Sequence, residues 1–192
     1  MRSRRPLVLF LAALAVRLLH LAFIRDLPTF DVPLVDGANY LKLAETIAAG
    51  DLTAGRQVFW QPPLYPYFLA LLLALFGPRF EILYTIQSAI GALSCVLVHA
   101  IGRRVLGERA GLAAGYILAF YGPLVFFETQ PLIPVLHLVL MLGAILCLLR
   151  ARSRRGRLGA GLLLGLSAIA TPNVLFAVPP AAIWLARAAG RG

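Results

Sequence analysis

Residues 6–24 read PLVLFLAALAVRLLHLAFI, a run in which Arg17 is the one charged side chain. About 20 predominantly apolar residues are needed to carry a helix across the hydrocarbon of a bilayer. The basic start (Arg2, Arg4, Arg5) followed by an apolar stretch also fits a signal peptide, but Ile24-Arg25-Asp26-Leu27-Pro28 offers no small-residue cleavage site. The run is therefore read as an uncleaved spanning helix with its N-terminus in the cytoplasm.

The rest of the chain agrees. Of its 192 residues 60% are hydrophobic and 14% charged, whereas a soluble domain is nearer half apolar and a quarter charged. So small a soluble protein has no interior large enough to hide that excess, and lipid is the solvent that accepts it. The net charge of +10 does not indicate nucleic acid, because the cations do not share a wetted face. They stand in three clusters between apolar runs: Arg2/Arg4/Arg5, Arg103/Arg104/Arg109 and Arg150/Arg152/Arg154/Arg155/Arg157. That is the pattern of cytoplasmic loops under the positive-inside rule.

The fold expected is all-α, a polytopic transmembrane helix bundle with amphipathic and interfacial helices in its first outer loop. After the first span, residues 6–24, the outer loop covers residues 25–80. Its first part holds five of the eight acidic residues: Asp26, Asp31, Asp36, Glu45 and Asp51. Within it, residues 36–50 form an amphipathic helix, with Leu41, Ala44, Ile47 and Ala48 at helical spacing and Gly50 as the stop. Residues 63–77 form a second, strongly apolar helix. Its apolar run, 64–76, spans roughly 20 Å, short of a full crossing. Were it to cross, the second and third basic clusters would fall outside. It is therefore read as interfacial or partly embedded. Spans are then expected at 82–102, 110–127 and 131–149. The tail, 158–187, is a fifth span or a broken hairpin, because Thr171-Pro172-Asn173 interrupts it. The localisation that follows is the plasma (inner) membrane, multi-pass, with the first large loop outside.

Few residues in this chain can carry chemistry. Asp36 and Tyr40, four apart, share one face at the start of the outer helix. Asp36 suits the helix cap, and a capping carboxylate can also act as a base. Asp31 is its rival, or else a solvated loop residue. Trp60-Gln61-Pro62-Pro63-Leu64-Tyr65 combines proline suited to a first helical turn with aromatics suited to the headgroup layer. Glu128 falls at the outer end of its span, on the face of Asp36. Arg17 lies within the first span, where an ionisable residue indicates function unless it snorkels or pairs with a carboxylate. Cys95 and Cys147 read as small buried hydrophobes. His20, His99 and His137 are scattered singly, so no metal site, disulfide or cofactor is expected.

In order along the chain stand Arg17; Asp36, Tyr40 and Ala44; Gln61-Pro62-Pro63-Leu64-Tyr65-Pro66 with Leu69 and Gly77; Gln87, Gly91 and Arg103-Arg104; and Tyr121-Gly122-Pro123 with Glu128. Gly165-Leu166 and Pro172-Asn173 add a weaker echo. This set resembles the front part of the polyprenyl-phosphate-sugar-dependent membrane glycosyltransferases of the GT-C fold, which include protein O-mannosyltransferases and lipid A aminoarabinose transferases. The resemblance implies Asp36 as general base on an acceptor hydroxyl of a protein or glycolipid. Attack on the anomeric carbon, with inversion and no metal, releases polyprenyl phosphate. Arg17, Tyr40, Gln61, Tyr65 and Glu128 are the implied donor and substrate contacts, with Asp31 as the alternative base. The chain departs from the family twice. Some relatives have a phosphate-contacting lysine where Gln61 stands, and relatives usually carry Arg or Lys at the position of Thr171. Family members are also much longer, so the chain corresponds to part of one. A non-catalytic membrane scaffold is the alternative reading. A small transporter ranks last, because the spans after residue 80 carry few polar residues.

Overall fold

The computed structural model describes residues 4–54, 61–150 and 153–189. Arg2, Arg56, Trp60 and Arg152 lie outside them. Among the described residues the protein is all-helical. Helix α1 (Arg5–Ile24) has Pro6 in its first turn, where the missing N–H costs nothing. Leu9, Ala13, Arg17 and Leu21, four apart, form its buried stripe. Leu7, Leu11, Leu19 and Phe23 on the other side are exposed, the face that lipid covers.

Helix α2 (Asp36–Ala48) and helix α3 (Leu64–Phe76) pack together. Gly77, at φ 74, ends α3 in a left-handed conformation that Pro78 follows. Helix α4 (Phe80–Val105) is the long axis of the bundle. It runs antiparallel to α1: Leu9 packs near Cys95, and Leu21 near Leu83 and Tyr84. Helix α5 (Glu108–Ala119) turns back beside both. The α4–α5 crossing is close because it is made of glycine, as in other tightly packed membrane helices. A Cβ on Gly111 would lie 2.3 Å from the backbone nitrogen of Arg103.

The stretch expected as one span, 110–127, is divided: α5 ends at Ala119 and a six-residue helix, α6 (Gly122–Phe127), follows. Pro123 accounts for the break, since it has no N–H and its ring excludes the carbonyl four residues earlier, Ala119. Helix α7 (Pro134–Leu148) starts beside the Tyr65–Tyr84 cluster and runs in the direction of α4. Helix α8 (Arg154–Ala170) returns along it, bringing Ser167 Oγ to 3.1 Å from His137 Nδ1. At Thr171 the chain becomes extended, and Pro172–Ala177 forms a 3₁₀ turn before α9 (Val178–Ala189). Trp184 Nε1 donates to the carbonyl of Leu148 at 3.1 Å, which brings α9 back to the end of the bundle where α8 began. The chain thus folds back on itself after Thr171.

Two ends result. Glu108 lies 3.3 Å from Arg5 and 3.8 Å from Arg103, so the first two basic clusters meet. The α7–α8 turn brings the third cluster to the same, basic end. The opposite, loop end carries α2 and α3. There α3 lies against the first two turns of α4, with Tyr65 reaching Gln87 and Phe76 lining one cavity with Phe80. Among the described residues α1 and α4 are long and apolar enough to cross a bilayer, while α3, α7 and residues 172–184 are shorter apolar helices. The molecule is a helical membrane protein.

Candidate functional site

The candidate site lies at the loop end and is held from beneath by a buried polar chain. The chain begins with the break at Pro123. That proline leaves the carbonyl of Ala119 without its helical partner, and an unsatisfied carbonyl is costly in a lipid-covered bundle. Arg17 supplies the donor: its Nη1 lies 3.2 Å from Ala119 O and 3.0 Å from Ala13 O. The rest of the guanidinium is taken by Glu128. Arg17 Nη2 donates to Glu128 Oε1 at 3.0 Å, and Nε approaches Oε2 at 2.6 Å, an electrostatic contact off the hydrogen-bond line. Both side chains are 0% exposed, so neither has surface to offer a ligand. Gly91 makes the room, because a Cβ there would fall 2.0 Å from Glu128 Oε1.

Gln87 carries the chain upward. Its Nε2 donates to the carbonyls of Glu128 (2.8 Å) and Gln130 (2.9 Å), pinning the loop after α6. Its Oε1 accepts from the Tyr65 hydroxyl at 2.6 Å. Tyr65 in turn meets the Tyr40 ring edge-on, centroids 5.3 Å apart and planes at 81°, an arrangement contributing about 0.5–1.5 kcal/mol beyond its buried area. The pinned loop also supports α2 directly: a Cβ on Gly37 would lie 3.0 Å from Pro131 Cγ.

Asp36 is therefore an exposed carboxylate at the start of a helix fixed from two sides, with Glu45 a second one further along it. Asp36 does not cap that helix. It is the first helical residue, Val35 holds the cap position, and no side-chain cap bond forms. An acid in this first turn interacts favourably with the N-terminal end of the helix dipole instead. Val35 has φ 49, a conformation costly for a β-branched residue and one that clusters at functional sites. Tyr40, one turn after Asp36, is buried, and burial followed by the charge of Asp36 raises its hydroxyl above the ordinary tyrosine range. It remains a donor at neutral pH.

Two further residues singled out from the sequence lie around this core. Gln61 is buried ahead of α3, and its Oε1 has no hydrogen-bond partner among the described residues. Asp31 lines a polar pocket of about 400 Å³ with Arg25, Phe30, Arg79 and Glu81, whereas Asp36 does not border it. The structure thus joins Arg17 to Glu128 and Tyr40 to Tyr65, and keeps Asp31 apart. Sequence reasoning listed Gln87 without a role, although a lone amide in an apolar span is itself a signal of a satisfied network. Pro131 carried no signal.

No curated protein and no solved structure matches the chain. A family described as dolichyl-phosphate-mannose-protein mannosyltransferase matches residues 60–191, which takes in α3 to α9 and leaves α1 and α2, with Arg17 and Asp36, ahead of the matched region. That match covers well over half of the sequence, and it falls on the helical membrane bundle in which Gln61, Tyr65, Gln87 and Glu128 were found linked or buried. The chain belongs to the dolichyl-phosphate-mannose-protein mannosyltransferase family, membrane glycosyltransferases of the GT-C type.

Proposed function

We propose that the protein transfers a sugar from a polyprenyl-phosphate donor to a hydroxyl of an acceptor protein or glycolipid at the outer face of the plasma (inner) membrane, with Asp36 as general base. The observation that carries the reading is the exposed Asp36 carboxylate at the start of α2, on a helix anchored through Tyr40, Tyr65 and Pro131. A base must be held where a substrate proton can reach it, and geometry comes before pKa in that requirement.

In this reading the acceptor hydroxyl gives its proton to Asp36 as its oxygen attacks the anomeric carbon. The carbon–oxygen bond to phosphate breaks, and polyprenyl phosphate leaves from the opposite side with the bonding pair. The sugar is inverted. The leaving phosphate needs no strong acid, so one carboxylate of ordinary basicity is enough. Tyr40 orients the carboxylate or the acceptor, Gln61 lies on the donor side, and the fully buried Tyr65 holds Tyr40 in place. Arg17 and Glu128, closed off from ligand, are positioning residues that hold the loop under α2. The basic end faces the cytoplasm under the positive-inside rule, which puts α2 and α3 outside.

Asp31 is the second reading for the base, favoured by its place in the polar pocket. The two separate in a transfer assay on membranes supplied with a polyprenyl-phosphate sugar. Asp36→Asn lowers transfer at least about 100-fold, while Asp31→Asn lowers it less. The reverse order moves the base to Asp31. Full transfer in both variants contradicts the mechanism, and a wild type that transfers nothing supports the non-catalytic scaffold.

A further inference from the structure

The end of the bundle opposite the candidate site carries an unbalanced charge. Outside residues 26–81 the sequence holds two acidic residues, Glu108 and Glu128, and Glu128 is closed off with Arg17. Glu108 is thus the one carboxylate left for the basic end. It lies 3.3 Å from Arg5 and 3.8 Å from Arg103, so two guanidinium groups already share it. Arg4 stands beside Arg5 and is in no ion pair among the described residues. Both lie at the N-terminus of α1, where the helix dipole adds further positive potential.

A cavity opens at this point. Leu9 on α1 meets Gly115 on α5 so closely that a Cβ on the glycine would fall 2.6 Å from Leu9 Cδ2. Nearer the basic end the two helices leave between them a cavity of about 270 Å³, walled by Arg4, Arg5, Val8, Leu112 and Tyr116. Val8 and Leu11 follow Arg4 at helical spacing on α1, and each is more than half exposed, at 53% and 54%. The cations thus give way to an apolar strip that runs toward the middle of the span. A ligand complementary to both has a negative charge at one end of an apolar chain. Inorganic phosphate or an acidic peptide would match the arginines and leave the strip uncovered.

We infer that the cavity between α1 and α5 binds an anionic phospholipid from the leaflet that the basic end faces, with its phosphate between Arg4 and Arg5 and one acyl chain over Val8 and Leu11. A guanidinium suits the task because its fork meets two phosphate oxygens at once and keeps its charge. Basic pockets between membrane helices are a recurring place for anionic headgroups. The site lies at the other end of the bundle from Asp36 and does not depend on the transfer reaction. The bound anion links α1 to α5, as Glu108 does through Arg5.

The test is native mass spectrometry of the purified full chain in neutral detergent, titrated with phosphatidylglycerol. Phosphatidylcholine with the same acyl chains is the comparison lipid, and water-soluble glycerol phosphate is the competitor. Wild type should take up phosphatidylglycerol at least about tenfold more tightly than phosphatidylcholine. Arg4→Gln should remove most of that preference, and Arg4→Lys should keep part of it. The double variant Arg154→Gln/Arg155→Gln, which removes more charge from the same end, should bind as wild type does. Glu108→Gln should bind at least as tightly as wild type, since it releases Arg5 to the lipid. An unchanged preference in Arg4→Gln overturns the inference. An equal loss in Arg154→Gln/Arg155→Gln overturns it too, by making the effect one of diffuse surface charge. So does displacement of the lipid by an equimolar amount of glycerol phosphate, which would make the cavity a site for free phosphate. Weaker binding in Glu108→Gln overturns the part given to Arg5.

Discussion

At the scale of single residues, the Arg17–Glu128 pair is where the physics is most demanding. Two ionised groups removed from water are tolerated only because each completes the other, and removing one partner leaves an uncompensated charge costing about 3–5 kcal/mol. Glu128→Ala and Arg17→Ala should each lower thermal stability in detergent by an amount in that range. The double variant Arg17→Met/Glu128→Leu should recover most of the loss, and a double variant that merely adds the two losses would show that the pair is not the coupled unit described. The two residues were legible in the sequence as ionisable groups in or beside apolar runs, and their pairing across more than a hundred residues was not. What joins them depends on Gly91 leaving space and on Pro123 freeing a carbonyl, neither of which has a periodic signature.

At the scale of elements, α2 begins at Asp36 and ends at Ala48, two residues before Gly50, and α3 ends at Phe76, just before the positive-φ Gly77. The run from 110 to 127 misled because its hydropathy is continuous while its backbone is not. Hydropathy counts side chains, whereas a proline acts on the carbonyl four residues back. The α4–α5 contact supplies a prediction of its own. Gly111→Ala puts a methyl group where the backbone of Arg103 lies, and overpacking of this kind costs about 1–3 kcal/mol. The variant should melt earlier than wild type, while Gly161→Ala on α8, with nothing within 4 Å of its new methyl, should not. Equal melting of the two would mean that α4 and α5 do not approach as described.

At the scale of the whole molecule, the basic clusters gather at one end and Asp26, Asp36 and Glu45 at the other, and the positive-inside rule turns that asymmetry into the proposed orientation. Asp26→Cys and Glu45→Cys in a cysteine-free background should react with a membrane-impermeant maleimide added to intact cells, and Arg104→Cys should react only after the membrane is opened. The opposite pattern would invert the topology and remove α2 from the outer face. The bundle class was readable from composition and charge spacing alone, because lipid imposes both. The fold-back of the tail was not, since Pro172 announces a break but not the direction taken after it. The proposed function turns on one measurement: sugar transfer from a polyprenyl-phosphate donor in membranes carrying equal amounts of wild type and Asp36→Asn. It predicts transfer by the wild type and at least a roughly 100-fold loss in the variant, with insertion unchanged. Transfer at the wild-type rate in Asp36→Asn would contradict it.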